Sequence, residues 1–152
     1  MTGGNPLNSH SFFKNKSLAA VLVAIAIPVF TSQLEKSREA TDISNARGYY
    51  AEIAAWLLAD NPDDGATTMV QGKYTATIDG DPHATGTFDV GVAGVPNAQR
   101  VADWQTADFN IAGVPKAQCG SAVTSTTADI TYTFTVETDG DMYVSEVAFA
   151  EA

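Results

Sequence analysis

The sequence predicts an α+β fold: a long N-terminal α-helix, kinked near Pro28, packed on an antiparallel β-sheet of about four strands. Two observations predict it. Between residues 18 and 60 apolar side chains recur at helical spacing, and after residue 65 the period falls to two, as strands require. A length of 152 residues with 45% apolar and 17% charged content suits a single hydrophobic core and argues against two independent domains. The expected organisation is a basic, leader-like segment over residues 1–17, a helix over 18–60 and a β-rich head over 61–152.

The helix begins with Leu18 to Phe30, thirteen residues without a charge, behind the basic patch Lys14-Asn15-Lys16. Thirteen helical residues reach only about 20 Å, short of the ~30 Å hydrocarbon core of a bilayer, so the run reads as an export or anchoring signal rather than as a full span. A cleaved secretory peptide has an apolar region of this length, but Pro28-Val29-Phe30 passes straight into Thr31-Ser32-Gln33-Leu34 with no evident small-residue cleavage site. Pro28 lacks the N–H that would bond the Ala24 carbonyl, and its ring crowds that turn, which predicts a kink or local loosening.

From Thr31 the helix turns amphipathic. Glu35 with Arg38, Lys36 with Glu39 and Arg38 with Asp42 stand three or four residues apart, and this pattern predicts a solvated face laced by ion pairs. Farther on, Ile43, Ala46, Tyr50, Ile53 and Leu57 follow one another at three, four, three and four. They form a stripe expected to cover the sheet; a coiled coil is the weaker alternative, because the heptads do not extend back through 35–42. The helix should stop near Ala59, where Asp60-Asn61-Pro62-Asp63-Asp64-Gly65 gathers turn formers and a proline.

Tyr74, Ala76 and Ile78 alternate with threonines over 73–78, and 85–92 alternates in the same way; Asp79-Gly80-Asp81-Pro82-His83 supplies the turn. The clearest hairpin joins Ile130, Tyr132, Phe134 and Val136, interleaved with Thr131, Thr133 and Thr135, to Met142 and Val144 through the Asp139-Gly140 turn. Between the two hairpins, 94–127 lacks periodicity and holds a repeat: Ala93-Gly94-Val95-Pro96-Asn97-Ala98-Gln99 returns as Ala112-Gly113-Val114-Pro115-Lys116-Ala117-Gln118. It reads as a duplicated surface loop, anchored by Trp104, Phe109 and Ile111, with a binding surface as the alternative.

Charge divides the chain. Residues 1–47 carry five basic and three acidic side chains, whereas 48–152 carry three basic and fifteen acidic, for a total of −10. A basic front beside an apolar run suits an anionic cytoplasmic leaflet, and an acidic remainder suits solvent outside the cell. Such a surface repels phosphate, so no nucleic-acid partner is expected. A single cysteine, Cys119, excludes an internal disulfide. No catalytic residue, cofactor site or metal site is expected: His10, His83 and Cys119 have no base or ligand partner at a useful spacing, and the phosphate-loop, dinucleotide and nucleophile-elbow motifs are absent. The Asp-rich turns at 60–64, 79–81 and 139–141 match no EF-hand loop and read as turn formers, with weak calcium binding as the alternative.

The stretch from Ala24 to Asp42, AIAIPVFTSQLEKSREATD, resembles the N-terminal helix of type IV pilins and pseudopilins. The resemblance is close over residues 18–60 and holds only in outline beyond. Family members carry a Gly-Phe processing site and a Glu early in the apolar helix, and neither precedes Leu34 here. The resemblance implies a long helix on an antiparallel sheet, and a structural subunit of a bacterial pilus or pilus-like fibre with no enzymatic activity. It implies that Leu18, Val21, Leu22, Ile25, Ile27, Val29 and Phe30 pack in the membrane and then in the fibre. The implied partners are other pilin subunits, the membrane and the assembly machinery, and the implied location is the plasma or inner membrane before assembly, then the cell surface. A pseudopilin of a secretion or DNA-uptake machine and a non-polymerising, adhesin-like surface module are the alternatives.

Overall fold

The computed structural model describes the backbone of residues 9–152, and the side chains of Ala24 and of residues 27–152. It is an α+β structure with one long helix, α1 (Ser9–Asp60), followed by β1 (Thr67–Val70), β2 (Tyr74–Asp79), β3 (Gly86–Pro96), β4 (Asn110–Ile111), β5 (Val114–Pro115), β6 (Thr127–Val136) and β7 (Met142–Glu151). A first unit ends at Leu34 and a second runs Glu35–Ala152, so the second half of α1 folds with the head.

The helix ends where its chemistry ends. Asn61 takes φ 44°, the left-handed conformation that closes many helices, and Pro62 follows. Pro28 lies within α1, and the Thr31 hydroxyl donates to the carbonyls of Ile27 (3.2 Å) and Pro28 (3.0 Å).

The main sheet has five antiparallel strands in the order β1-β2-β3-β6-β7, one more than the sequence predicts. The additional strand, β1, pairs with β2 through a tight turn in which Gln71 (φ 53°) and Gly72 (φ 65°) are both left-handed, the combination that matches strand twist. That turn is tied to α1 by the Gln71 N–H, which donates to Glu52 Oε2 at 2.8 Å. Strands β3, β6 and β7 run several residues beyond their predicted ends.

One face of the sheet is the core. Val70, Ala76, Ile78, Phe88, Val90 and Tyr132 are among its buried side chains, while Thr75, Thr77, Asp79 and Asp89 point the other way. Against this core α1 lays Ile43, Ala46, Tyr49, Ile53 and Trp56, all buried, with Tyr50 and Leu57 half-buried beside them. The helical stripe is thus centred one residue earlier at two of its turns than the sequence predicts, because Tyr49 meets the edge of Tyr74 on β2 and Trp56 enters the core. Tyr50 instead leans over Phe134 and Tyr132 of β6. The Tyr132 hydroxyl donates to the Ala46 carbonyl at 2.6 Å, which fixes helix against sheet at a buried point.

The two copies of the repeated heptapeptide do different work. In the first, Gly94 (φ 66°) sits in a bulge where the β3–β6 register shifts between Val92 and Val95, and its N–H donates to Asp129 Oδ1 at 2.8 Å. In the second, Ala112 and Gly113 form the two-residue turn of the small β4–β5 hairpin. The expectation of a duplicated surface loop gives way to a strand end and a hairpin. Both rely on the same glycine, at positions where an L side chain is strained.

Candidate functional site

Two features of α1 stand apart from ordinary core packing. The first is its apolar start. Ile27 (58% exposed), Val29, Phe30 (70% exposed) and Leu34 present apolar surface to solvent. The side chains of Leu18, Val21, Leu22 and Ile25 lie outside the described residues, as does the segment 1–8. Among the described residues no helix is long and apolar enough to cross a membrane.

The second feature is a row of buried carboxylates. Glu35, Glu39 and Asp42 are buried, which overturns the expectation of a solvated, ion-paired face. Only one predicted pair is present among the described residues, Arg38 Nη1 to Glu35 Oε2 at 3.1 Å. Their spacing explains the burial: 35, 39, 42, 46, 49, 53 and 56 continue one stripe at four, three, four, three, four and three, so the acids occupy the turns preceding the apolar contact surface.

What covers them is the backbone of the loop after β3. Glu35 Oε1 accepts the N–H groups of Arg100 (2.6 Å) and Val101 (2.9 Å). Asp42 accepts those of Ala98 (2.9 and 3.0 Å to its two oxygens) and Gln99 (2.9 Å). Glu39 accepts from Gln105 N–H, from Thr106 N–H (2.7 Å) and from the Thr106 hydroxyl. The loop has no strand partner for these donors, and a buried N–H left unpaired is costly, so the carboxylates stand in for a neighbouring strand. Lys116 Nζ closes the far side by donating to the carbonyls of Trp104 (3.0 Å) and Thr106 (2.6 Å). Trp104, buried against Phe109 and Phe149, anchors the loop with its indole N–H on the Gly120 carbonyl at 2.8 Å. Ile111 is fully buried and Phe109 packs against the core.

Charge balance differs along the row. Burial opposes ionisation of Glu35, yet the Arg100 N–H, the Arg38 guanidinium and the Val101 N–H outweigh it and hold this carboxyl below the usual glutamate range. At Asp42 burial prevails over the Ala98 and Gln99 N–H groups and over Arg100, with Glu35 nearby adding repulsion, so its carboxyl is pushed up. The two carboxyls therefore tilt stability in opposite directions with pH. Folded Glu35 binds fewer protons than the unfolded chain just below 4.5, its ordinary value, so its contribution is present above that pH and fades as pH falls through the lower, folded value. Asp42, raised, favours the folded chain at low pH and loses that advantage as pH rises through its folded value. Because the slopes oppose, single variants are needed to separate them. Glu35→Gln is expected to lose about 1–3 kcal/mol at pH 7 in urea melts, and the gap to the native chain should shrink on acidification below the ordinary glutamate range. A gap that stays constant down to pH 2.5 would show that the charge of Glu35 does not matter.

Groups with nucleophilic or metal-ligating chemistry are scattered. Burial raises the Cys119 thiol, which makes it a poor nucleophile at neutral pH. The His83 imidazole is 3.6 Å from exposed Asp63. The side chain of His10 lies outside the described residues, and among those described no group of three His, Cys, Asp or Glu residues is placed to hold a metal ion. No known protein family, characterised protein or solved structure matches the chain.

Proposed function

We propose that this chain is a structural subunit of a bacterial type IV pilus or a related pilus-like surface fibre. It would be held in a membrane by its apolar helix start and then polymerise by packing that start against other copies, with the assembly machinery as a further partner. The observation that supports this reading is the change of character within one continuous helix. Ile27, Val29, Phe30 and Leu34 are exposed apolar side chains in a run with no ionisable group back to Leu18; from Glu35 on, one face is buried over loop and sheet. Exposed apolar side chains of this kind suit another environment, lipid or like helices. The acidic head, rich in threonine, suits the outside of the cell.

The reading is tested by electron microscopy of surface fibres sheared from producing cells, with immunogold labelling against the head and peptide mapping of the N-terminus. Labelled fibres containing this chain are the expected result. Fibre preparations free of the chain, with all of it soluble and monomeric, would overturn the reading.

A further inference from the structure

We propose that the groove between the last turns of α1 and the β6–β7 hairpin receives the Ile27–Lys36 stretch of a second copy of this chain. The groove encloses about 370 Å³. Phe134, buried and stacked on Phe88, lines it together with Tyr50, Leu57 and Met142, and Leu58 stands at its edge 88% exposed. An apolar groove with an exposed leucine beside it has more apolar surface than the head itself covers.

Its rim selects the occupant. Asp141 lines the groove, Glu137 and Asp139 belong to the same turn, and none of the three forms an ion pair among the described residues. From residue 117 to 152 there are six acidic side chains and no basic one, so the neighbouring strands hold no cation to neutralise this rim. The fitting partner is apolar with a cationic flank. Among the described basic side chains, Arg38 pairs with Glu35, Arg47 with the Asn110 carbonyl, Lys73 with the Tyr74 ring, and Arg100 and Lys116 with loop carbonyls. Lys36 alone has no partner among the described residues, and it follows exposed Leu34 by two positions, with exposed Phe30 and Ile27 farther back on the same helix.

Groove and helix start are different surfaces, so their contact is head-to-tail. Where the rotation between copies does not close, each added copy leaves one groove and one helix start unused, and repetition gives an open filament. The proposal deepens the fibre reading by naming two surfaces that meet, and it rests on that reading only for the number of copies joined.

The test uses the full chain in producing cells, with Leu58 replaced by a photoreactive benzophenone amino acid and two isotopically distinct populations mixed so that links between copies are recognised by mass spectrometry. Cross-links from position 58 to residues 27–36 of another copy are expected. Lys36→Glu should lower their yield about tenfold, and adding Asp141→Lys should restore it. Leu58, Lys36 and Asp141 are exposed, so these variants keep the fold, which circular dichroism melts verify. Links to another part of the chain, to lipid or to a different protein would overturn the proposal, and so would a yield indifferent to the charge reversal. Fibres present with links elsewhere reject this contact and leave the fibre reading standing. Links to 27–36 without fibres uphold the contact and reject the fibre.

Discussion

Replacing Ile53 by alanine is expected to cost about 2–5 kcal/mol. Ile53 is fully buried midway along the helical stripe, with Tyr49 and Trp56 on either side and the sheet beneath. The loss has two parts: the transfer free energy of the removed carbons and the cavity left between a helix and a sheet that are joined elsewhere and cannot close over it. Tyr132, whose hydroxyl bonds the Ala46 carbonyl two turns earlier, restrains that collapse and places the result toward the upper end. Denaturant melts of residues 31–152 give the number. A loss under about 0.5 kcal/mol, the size of a surface change, would mean that α1 does not pack on the sheet.

Glu39→Ala is expected to rank next, at roughly 2–4 kcal/mol, since it strands two part-buried backbone N–H groups and a hydroxyl at once. Glu39 is 0% exposed and accepts from Gln105 and twice from Thr106. Glu39→Gln separates shape from charge. Its amide can accept on one oxygen only and turns an N–H₂ toward the remaining donors, so it should recover less than half of the loss. The damage should be local. Amide exchange at 105 and 106 is expected to accelerate by a larger factor than exchange at Tyr132 or Val90 in the sheet. Uniform acceleration across the molecule would show that the carboxylate supports the whole fold rather than this loop.

Helix and hairpins were legible because their signals are periodic and local. Apolar residues three and four apart, and threonines alternating with Ile130, Tyr132 and Phe134, report directly which face each element buries. Strand β1 was not legible, since Thr67-Thr68-Met69-Val70 is too short to alternate and owes its extended shape to pairing with β2. Tyr49 and Trp56 were missed for a related reason. Three-four spacing is satisfied by 46-50-53-57 and by 46-49-53-56 alike, and only the rings facing the helix decide between them.

The carboxylate row was misread in kind. Acids with Lys or Arg three residues away look like surface ion pairs, and nothing local says otherwise. A signal did exist: extending the apolar stripe backward from Ala46 by four, three and four lands on Asp42, Glu39 and Glu35. Coupled with a loop over 97–109 that offers many N–H donors and no regular partner, that phase points to carboxylates turned inward. The groove beside Leu58 had no sequence signal, because its two walls lie some eighty residues apart in the chain.

The grip of Glu35, Glu39 and Asp42 falls almost entirely on main-chain N–H groups, which every residue except proline possesses. The outward side chains of Val101, Ala102 and Asp103 are exposed and take no part in it, whereas Arg100 returns to its own loop carbonyls and favours the charged form of Asp42. This segment can therefore exchange its vocabulary while keeping its posture. A lineage under pressure to change its outer appearance could rewrite these three positions without disturbing the frame that displays them.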